Sequence, residues 1–508
     1  MKKIIASVLC FAMVAGVAGC SSDETTKATT AGTTAGTTAA DTTAADTTAA
    51  DTSAEDTTTE DTKAEAPATQ TTAEVSYGEG DTTIKVYAMS NEVPVVMMRL
   101  FLDSHPEMKS KFKIEAMYCN NDGQGYETKL NAALQAGGST APDLYVAEAD
   151  YILPYTQGDF SAYAAPYSDF IENFDQKFKD AELFDYSVDL GSKDGKVMAL
   201  NYQCTGGAFI YRRSIAKEVF GSDDQKTVED AIGAGTQKWD KFWEAADKLK
   251  EKNYKIVSGL GDVWNVSEKA AQTPWVVDGK LQIDPVRDEY IDIAKKLIDG
   301  GYTNDTSAWQ PAWNADMRDE GDAKVFGWFG PAWLINYVIV SQAATPEKGF
   351  GDYAVCSPNV GFWWGGSWLL ANAESVKDEA KKEFLATFIE WVTLDTSDKG
   401  LQYIWANCPQ SLIDVKTSIG ETPAKDTVAS KKVMASADGK LDFLGGQNPL
   451  DVFTKATDYA SSKCKCLFDA DLNGTWQDLC NQYAHGKITR DEVITKFKDA
   501  AEALDIEV

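Results

Sequence analysis

Histidine is nearly absent from the 508-residue chain, which holds only His105 and His485. These two lie far apart in the sequence, so a metal or catalytic site built from several histidines is excluded. Basic residues are also scarce, because 48 lysines and arginines stand against 78 aspartates and glutamates and leave a formal charge of −30. Nucleic-acid phosphates are held by clustered lysines and arginines, so this charge argues against a nucleic-acid partner.

Cysteines are few and lack a pattern that would predict disulfides. Seven remain besides Cys10 and Cys20 near the N-terminus, and an odd number cannot all pair. No CxxC motif is present, although the spacing would let Cys464 and Cys466 oppose Cys480. A chain of this length does not need crosslinks, so we expect buried free thiols and a poorly oxidising environment. No cofactor and no metal are expected.

The first twenty residues have the features of a bacterial lipoprotein signal peptide. Lys2 and Lys3 precede an apolar run over 4–18 that is too short for a membrane-spanning helix. The run ends in Val-Ala-Gly-Cys, a lipobox in which the thiol of Cys20 accepts a diacylglycerol. We therefore expect a protein anchored by lipid to the extracellular face of the cell membrane, as in Gram-positive bacteria. An ordinary secretory signal with an incidental cysteine is the alternative.

Residues 21–80 are of low complexity, with twenty threonines and mostly alanine and aspartate besides. Twelve acidic residues against Lys27 and Lys63 give this segment a charge of −10. Its first aromatic residue is Tyr77, so it has little apolar surface to bury and is predicted to be disordered. We expect a tether that lifts a folded domain off the membrane.

Beyond the tether, strand-like and helix-like periods alternate along the chain. Runs at 83–89, 112–118 and 143–147 are typical of β-strands, and a helix is predicted at 126–136 between the last two. This alternation predicts an α/β fold with a parallel sheet covered by helices. Further helices are predicted at 239–250, 286–299, 376–394 and 489–504.

Six stretches of the sequence carry a more specific signal. They are YETKLNAALQAGGSTAPDLYVAEADY at 126–151, GKVMALNYQCTGGAFIYRRS at 195–214, KWDKFWEAADKLK at 238–250, FGWFGPAW at 326–333, GFWWGGSWLLANAES at 361–375 and LGGQNPLDVF at 444–453. In this order, behind a lipobox and a tether, they resemble the family 1 extracellular solute-binding proteins, the receptors of carbohydrate ABC transporters. The resemblance runs from about residue 82 to the C-terminus.

The resemblance implies a two-lobed, periplasmic-binding-protein-like α/β fold with a hinge and an interlobe cleft. The chain would cross between the lobes near 199–205, 365–368 and 408–413. The N-lobe is expected at 82–200 plus 369–410, and the C-lobe at 205–365 plus 415–508. The implied function is that of a monomeric binding protein, not an enzyme, which captures a sugar or oligosaccharide by hinge closure and delivers it to an ABC permease.

A tryptophan–glycine cluster at the second expected crossing is the first candidate for the ligand site. A pyranose stacks its apolar face on an aromatic ring, and glycines let the backbone approach a ligand closely. The cluster contains Trp364, Gly365, Gly366 and Ser367. Strand alternation puts Trp363 and Trp364 on opposite faces, and we expect Trp364 to face the cleft.

Two more tryptophans, Trp264 and Trp328, lie in predicted strand-end loops of the other lobe, and core packing is the alternative for each. Trp391 lies on an amphipathic helix and is expected in the core. Polar residues in loops near the cleft are candidates for the sugar hydroxyls, although each could instead cap a helix or face water. These residues are Asn91, Glu92, Glu148, Asp150, Gln203 and Asp262.

A partial calcium-loop motif also occurs near the C-terminus. Asp469, Asp471, Asn473 and Gly474 match its first half, but Cys480 stands where the loop needs a bidentate acid. A helix is therefore the preferred interpretation.

Two other functions are compatible with the sequence. A secreted glycoside hydrolase would also need carboxylates in an aromatic cleft. A binding protein for a peptide or a polyamine would fit the negative charge, whereas the tryptophan–glycine cluster favours a sugar.

Overall fold

A computed structural model of the protein describes residues 72–121, 124–343 and 349–508. The predictions for the signal peptide, for Cys20 and for the tether up to residue 71 lie outside these residues. The seven cysteines of the described part are all unpaired, as predicted. Within these three ranges, no helix has the length and apolar character that a membrane crossing requires.

Strands and helices alternate along the chain. The strands are β1 Ala73–Tyr77, β2 Thr82–Ala88, β3 Phe112–Tyr118, β4 Leu144–Glu148, β5 Ser192–Lys193, β6 Lys196–Val197, β7 Ala199–Asn201, β8 Ala208–Arg212, β9 Val276–Val277, β10 Lys280–Leu281, β11 Gly327–Gly330, β12 Tyr353–Cys356 and β13 Ser367–Ala371.

The helices follow the apolar periodicity of the sequence. They are α1 Met98–Ser104, α2 Pro106–Lys111, α3 Gly125–Ala136, α4 Leu153–Thr156, α5 Phe174–Ala181, α6 Asp185–Leu190, α7 Arg213–Phe220, α8 Gln225–Ile232, α9 Asp240–Glu251, α10 Leu260–Ala270, α11 Pro285–Gly300, α12 Pro311–Met317, α13 Val340–Ala343, α14 Glu379–Thr393, α15 Leu401–Asn407, α16 Gln410–Ser418, α17 Lys431–Ser436, α18 Leu450–Ala456, α19 Asp469–Ala484 and α20 Arg490–Glu502. Two π-helical segments, Glu92–Met97 and Leu334–Ile339, lead into α1 and α13.

A six-stranded sheet in the order β1-β3-β2-β4-β13-β7 forms the centre of one lobe. The three predicted strands are present as β2, β3 and β4, and they pair in parallel. Strands β1, β13 and β7 add antiparallel pairings at the two sides. Every residue of Leu144–Ala147 is buried, as expected for a strand covered on both faces.

The other lobe is built on a three-stranded antiparallel sheet, β11-β8-β12, with α9, α10, α11, α19 and α20 in its core. The two sheets belong to separate hydrophobic cores. Core membership changes between Cys204 and Ala208, and again between Phe362 and Trp368, where Trp363 packs in the first core and Trp364 in the second. We refer to the lobe with the six-stranded sheet as the first lobe and to the other as the second lobe.

The third change of lobe differs from the expected position near 408–413. Leu412, Val428 and Met434 still pack in the first core, and the second core resumes only at Phe443. The segment from 412 to 434 therefore packs with the first core, whereas the resemblance implies that most of it belongs to the C-lobe. Residues 412–434 and the chain from Phe443 onward are both polar helices and loops in sequence, and only tertiary packing determines which core each of them joins.

Strand β1 corrects the predicted end of the tether near residue 80. Its five residues pair antiparallel along β3, from Ala73 opposite Tyr118 to Tyr77 opposite Ile114. Val75 and Tyr77 are half-buried and pack against the first core. The folded domain therefore includes an edge strand that the Thr-rich composition around it obscures.

A chain shortened to begin at Gly80 is expected to be less stable than one that begins at Thr72. Losing β1 exposes Val75 and Tyr77 and the edge of β3, which should lower the free energy of unfolding by about 2 kcal/mol. Urea denaturation of both shortened chains measures the difference. Equal unfolding free energies would contradict a structural role for β1.

Candidate functional site

A cavity of about 730 Å³ lies between the two lobes. The first lobe contributes the segments that follow β2, β4 and β7, and the second lobe contributes aromatic side chains. Nine of the predicted site residues line this cavity. They are Asn91, Glu92, Glu148, Asp150, Gln203, Trp364, Gly365, Gly366 and Ser367.

Three indoles form the aromatic wall of this cavity. The ring of Trp364 lies 4.7 Å from that of Trp333 and 6.1 Å from that of Trp309, measured between centroids. Trp309 and Trp333 are stacked at 5.9 Å. Sequence reasoning missed Trp309, Trp333 and the neighbouring Tyr337. The spacing of four between Trp333 and Tyr337 was the available signal, because it puts both rings on one helical face.

Trp309 is unusual among the large apolar side chains because 55 % of its surface is exposed. Its backbone has a φ of +69°, a conformation that is costly for a residue with a bulky side chain. An exposed indole held in a strained loop beside a cavity is typical of a ligand contact.

The orientation of the tryptophan pair at the second crossing agrees with strand alternation. Trp364 lines the cavity, whereas Trp363 is fully buried against Tyr186 and donates its indole N–H to the Ser461 carbonyl at 3.0 Å. The backbone carbonyl of Trp364 accepts a hydrogen bond from the indole of Trp333 at 3.1 Å.

The two glycines that follow have φ angles of +82° at Gly365 and +119° at Gly366, which strain residues with side chains. A Cβ atom at Gly366 would lie 2.7 Å from the amide nitrogen of Asn201. The first two crossings are also joined by two hydrogen bonds of 2.9 Å. The Thr205 hydroxyl donates to the Gly365 carbonyl, and the Thr205 backbone carbonyl accepts the Trp364 backbone N–H.

Two acidic residues at the end of β4 face the cavity in different electrostatic environments. Asp150 extends from the first lobe to two buried lysines on the other side, with 3.1 Å to Lys269 and 3.0 Å to Lys465. Its place in the cleft by itself raises the pKa of Asp150, but the two ammonium groups outweigh this effect and lower it. Burial and the charge of Asp150 raise the pKa of Glu148 to about 8.

Replacing Glu148 with glutamine is expected to change how stability depends on pH. The unfolded pKa of Glu148 is near 4.5 and the folded pKa is about 8, so its contribution to stability is lost as the pH rises between them. Glutamine stays neutral, so the free energy of unfolding of the variant should rise relative to that of the wild type by on the order of 2 kcal/mol over this pH interval. Thermal denaturation of both proteins from pH 5 to pH 9 tests this, and parallel profiles would contradict it.

The polar residues that follow β2 and β7 already have partners. The Asn91 amide donates to Glu421, and the Tyr202 hydroxyl donates to Glu92. The backbone N–H of Gln203 donates to Asn201 at 2.9 Å, while its side chain points to the cavity.

A second cavity of about 800 Å³ adjoins the first and shares Asp150, Trp309 and Trp364 with it. Apart from Asp150, it is lined mainly by the second lobe, by α10, α19 and the loop before Trp309. Trp264 lines this second cavity instead of the first.

Two predicted site residues line neither cavity. Trp328 is fully buried in β11 and packs 6.0 Å from Tyr353, because both faces of this strand are covered. Asp262 accepts the Gly259 backbone N–H at 2.8 Å and the Trp313 indole N–H at 3.1 Å at the start of α10. Burial raises the pKa of Asp262 to about 7. Both assignments to the site are therefore wrong.

The calcium-loop motif lies in α19, as the helix interpretation predicted. Among the described residues, no group of three or more His, Cys, Asp and Glu side chains is arranged to hold a metal ion.

The family comparison matches a large part of the chain. A family model described as bacterial extracellular solute-binding protein matches residues 106–400, which is more than half of the sequence. Among curated proteins, no similar sequence was found.

Solved structures of solute-binding proteins have the same fold. An extracellular solute-binding protein of family 1 gives a TM-score of 0.63 at 16% identity, covering 84% of this chain and 100% of that chain. The ABC transporter associated binding protein from B. animalis subsp. lactis, solved with β-1,6-galactobiose, gives 0.56 at 20% identity and covers 84% and 98%. The galacto-N-biose/lacto-N-biose I-binding protein from Bifidobacterium longum, solved with lacto-N-biose, gives 0.60 at 14% identity and covers 85% and 99%. At these identities the likeness establishes the fold, and it confirms the predicted two-lobed α/β architecture.

Proposed function

Because the chain belongs to the bacterial extracellular solute-binding protein family, we propose that it is the receptor of an ABC importer for a saccharide, which it holds between its lobes. The observation that carries the proposal is the indole of Trp364 beside Glu148, Asp150 and Gln203 in a cavity of about 730 Å³. This volume is in the usual range for small-molecule sites. The structural relatives from two bifidobacteria were solved with β-1,6-galactobiose and with lacto-N-biose, which supports the same ligand class.

The chemistry of the cavity suits a sugar better than a peptide or a polyamine. Trp309, Trp333 and Trp364 offer flat apolar faces for the C–H side of a pyranose ring. Asp150 is already paired with two lysines, so it offers no uncompensated negative charge to a polyamine. Its carboxylate oxygens can still accept hydrogen bonds from sugar hydroxyls. Glu148, protonated below about pH 8, can donate a hydrogen bond as well.

A hydrolase is the second candidate, because a protonated Glu148 beside an ionised Asp150 is also what glycoside hydrolysis uses. The relatives with this fold are binding proteins, which favours capture without cleavage.

The proposed mechanism is capture by lobe closure. A saccharide stacked on Trp364 would contact Asp150 of the first lobe and Trp333 of the second, so its binding favours the closed arrangement. We propose lobes at about 73–204 plus 367–437 and at 208–364 plus 441–506, from their separate cores. The closed, loaded protein would then deliver its ligand to the membrane permease as a monomer.

Titration calorimetry against a panel of plant and host oligosaccharides tests the proposal. We expect saturable heat with at least one of them, no cleavage products, and a smaller radius of gyration in small-angle scattering. Hydrolysis products would favour the enzyme, and no binding across the panel would refute a saccharide receptor.

We also propose that lipid on Cys20 anchors the protein outside the cytoplasm, as membership of an extracellular family and the lipobox suggest. The Cys20→Ala variant should leave the membrane fraction and still bind ligand. A variant retained in the membrane fraction would contradict the lipid anchor.

A further inference from the structure

The second cavity is lined by a regular row of amide side chains on α19. Asn473, Gln477 and Asn481 follow one another at intervals of four residues, which puts them on one face of the helix. Asn265 of α10 lines the same cavity from the opposite wall. Asn481 is exposed and the other three amides are partly buried, so all four are within reach of a ligand in this cavity.

Most of these amides have no partner within the protein. Asn473 is fixed, since it accepts the Trp275 indole N–H at 2.7 Å and donates to Glu268 at 2.9 Å. The side-chain amides of Asn265, Gln477 and Asn481 make no hydrogen bond to any residue that the structure describes. Each amide offers both donors and an acceptor, which is the combination that a sugar hydroxyl matches.

The charged groups of this cavity are largely compensated. Asp305 pairs with His485 at 2.7 Å, and Asp469 lies 3.3 Å from Lys465. Glu268 is 2.6 Å from Lys269. Of the five acids that line this cavity only Asp478 has no ion pair with a described residue, so a cationic ligand would find one unpaired acid, whereas a neutral polyhydroxylated ligand would find free amides.

Gly474 leaves space in the middle of the amide row. A Cβ atom at this position would meet nothing within 4 Å, so a side chain there would project into the cavity. Glycine in a helix interior costs about 1 kcal/mol relative to alanine, which suggests that the open space has a use.

The two cavities adjoin along a shared wall. Trp309, Trp364 and Asp150 line both of them, so a ligand that extends along these indoles from the interlobe cavity would reach the second cavity. Trp264 offers a further ring to the second cavity.

We propose that the amide-lined cavity binds the additional rings of an extended neutral oligosaccharide whose first rings lie against Trp364. This inference rests on the proposed saccharide function and deepens it, since it makes the protein a sensor of chain length. The interlobe cavity alone would hold a short saccharide, and the amide row would add affinity for each ring that reaches it.

The test compares chain lengths in the wild type and in Gly474→Leu. The probes are α-1,4- and β-1,4-linked gluco-oligosaccharides and β-linked galacto-oligosaccharides of two to six rings. In one of these oligosaccharide series the affinity of the wild type should rise with chain length. Gly474→Leu should bind the longest member of that series about tenfold more weakly, as expected from the loss of about two hydrogen bonds. Affinity for the disaccharide should stay within about twofold, since its site is untouched.

Two further variants make the outcome unambiguous. Gln477→Ala removes an amide without filling space and should reduce the same length-dependent gain. Thr475→Leu lies on the same helix but outside the cavity lining, so it should bind like the wild type. Affinity that does not change with length in a binding wild type, or equal losses for short and long members, would overturn the inference. Failure of every series to bind the wild type would instead overturn the saccharide function itself.

Discussion

Replacing Trp364 with alanine is expected to weaken saccharide binding by about 2–4 kcal/mol, or roughly 30- to 1000-fold. Trp364 is only 8 % exposed, its indole lines both cavities, and its ring centroid lies 4.7 and 6.1 Å from those of two other indoles. A central ring of this kind combines stacking on the sugar with support for the neighbouring rings. Calorimetry with the best ligand of the panel measures the loss.

The control for this variant is Trp391→Ala, because a loss of stability can imitate a loss of binding. Trp391 packs in the first core, 5.5 Å from Phe101, and donates its indole N–H to Lys399 at 2.8 Å. Its removal should cost about 3–5 kcal/mol of stability and leave the affinity of the folded fraction little changed. Unchanged affinity in a well-folded Trp364→Ala would show that Trp309 or Trp333 carries the stacking.

The second large effect is expected from Lys465→Met. Lys465 is almost fully buried, and its ammonium lies 3.0 Å from Asp150, 3.3 Å from Glu268 and 3.3 Å from Asp469. Burial alone would lower its pKa, but the three carboxylates raise it well above the usual value. Without this lysine Asp469 loses its ion pair and Asp150 and Glu268 keep Lys269 alone, which should lower the unfolding free energy by about 3–5 kcal/mol.

Two comparisons test the electrostatic explanation of this effect. Lys226→Met breaks an exposed pair with Asp230 and should leave the midpoint of urea unfolding almost unchanged, because solvent screens this pair. Adding Asp469→Asn to Lys465→Met should recover part of the loss, because it removes one uncompensated charge. Guanidinium would screen charges, so urea denaturation is the appropriate measurement. A loss of similar size in Lys226→Met would refute the explanation.

The parallel strands and the interlobe acids could be predicted because local patterns determine them. The runs at 83–89, 112–118 and 143–147 alternate or are wholly apolar, and they match β2, β3 and β4. Polar residues after β2 and β4 face the cavity because the carboxyl ends of parallel strands meet at one edge. Strand β1 was missed although Val75 and Tyr77 alternate with polar residues, since the Thr-rich segment before it hid a short signal.

The errors at Trp328 and Asp262 have different physical causes. Glycines on both sides of the Trp328-Phe329 pair indicated a loop, but they belong to a strand that is buried on both faces. Asp262 lies in the first turn of α10 and its carboxylate accepts the Gly259 backbone N–H, so it caps the helix, which is the alternative that the sequence left open. Trp309 could not be assigned from sequence, because its exposure depends on a loop conformation with positive φ.

The joined crossings at Thr205 and Gly365 have a kinetic consequence. Two hydrogen bonds hold these segments side by side, so a bending motion about them displaces nearby atoms least. Trp364, on this axis, would then meet its ligand in the open protein and govern the rate of association. Contacts far from the axis, such as the amides of α19 with the far end of a long ligand, would govern how long the complex lasts. Substitutions at the two ends of the site should therefore have different kinetic effects in stopped-flow measurements. Trp364 variants should lower the association rate of the ligand, and Gln477 variants should raise its dissociation rate.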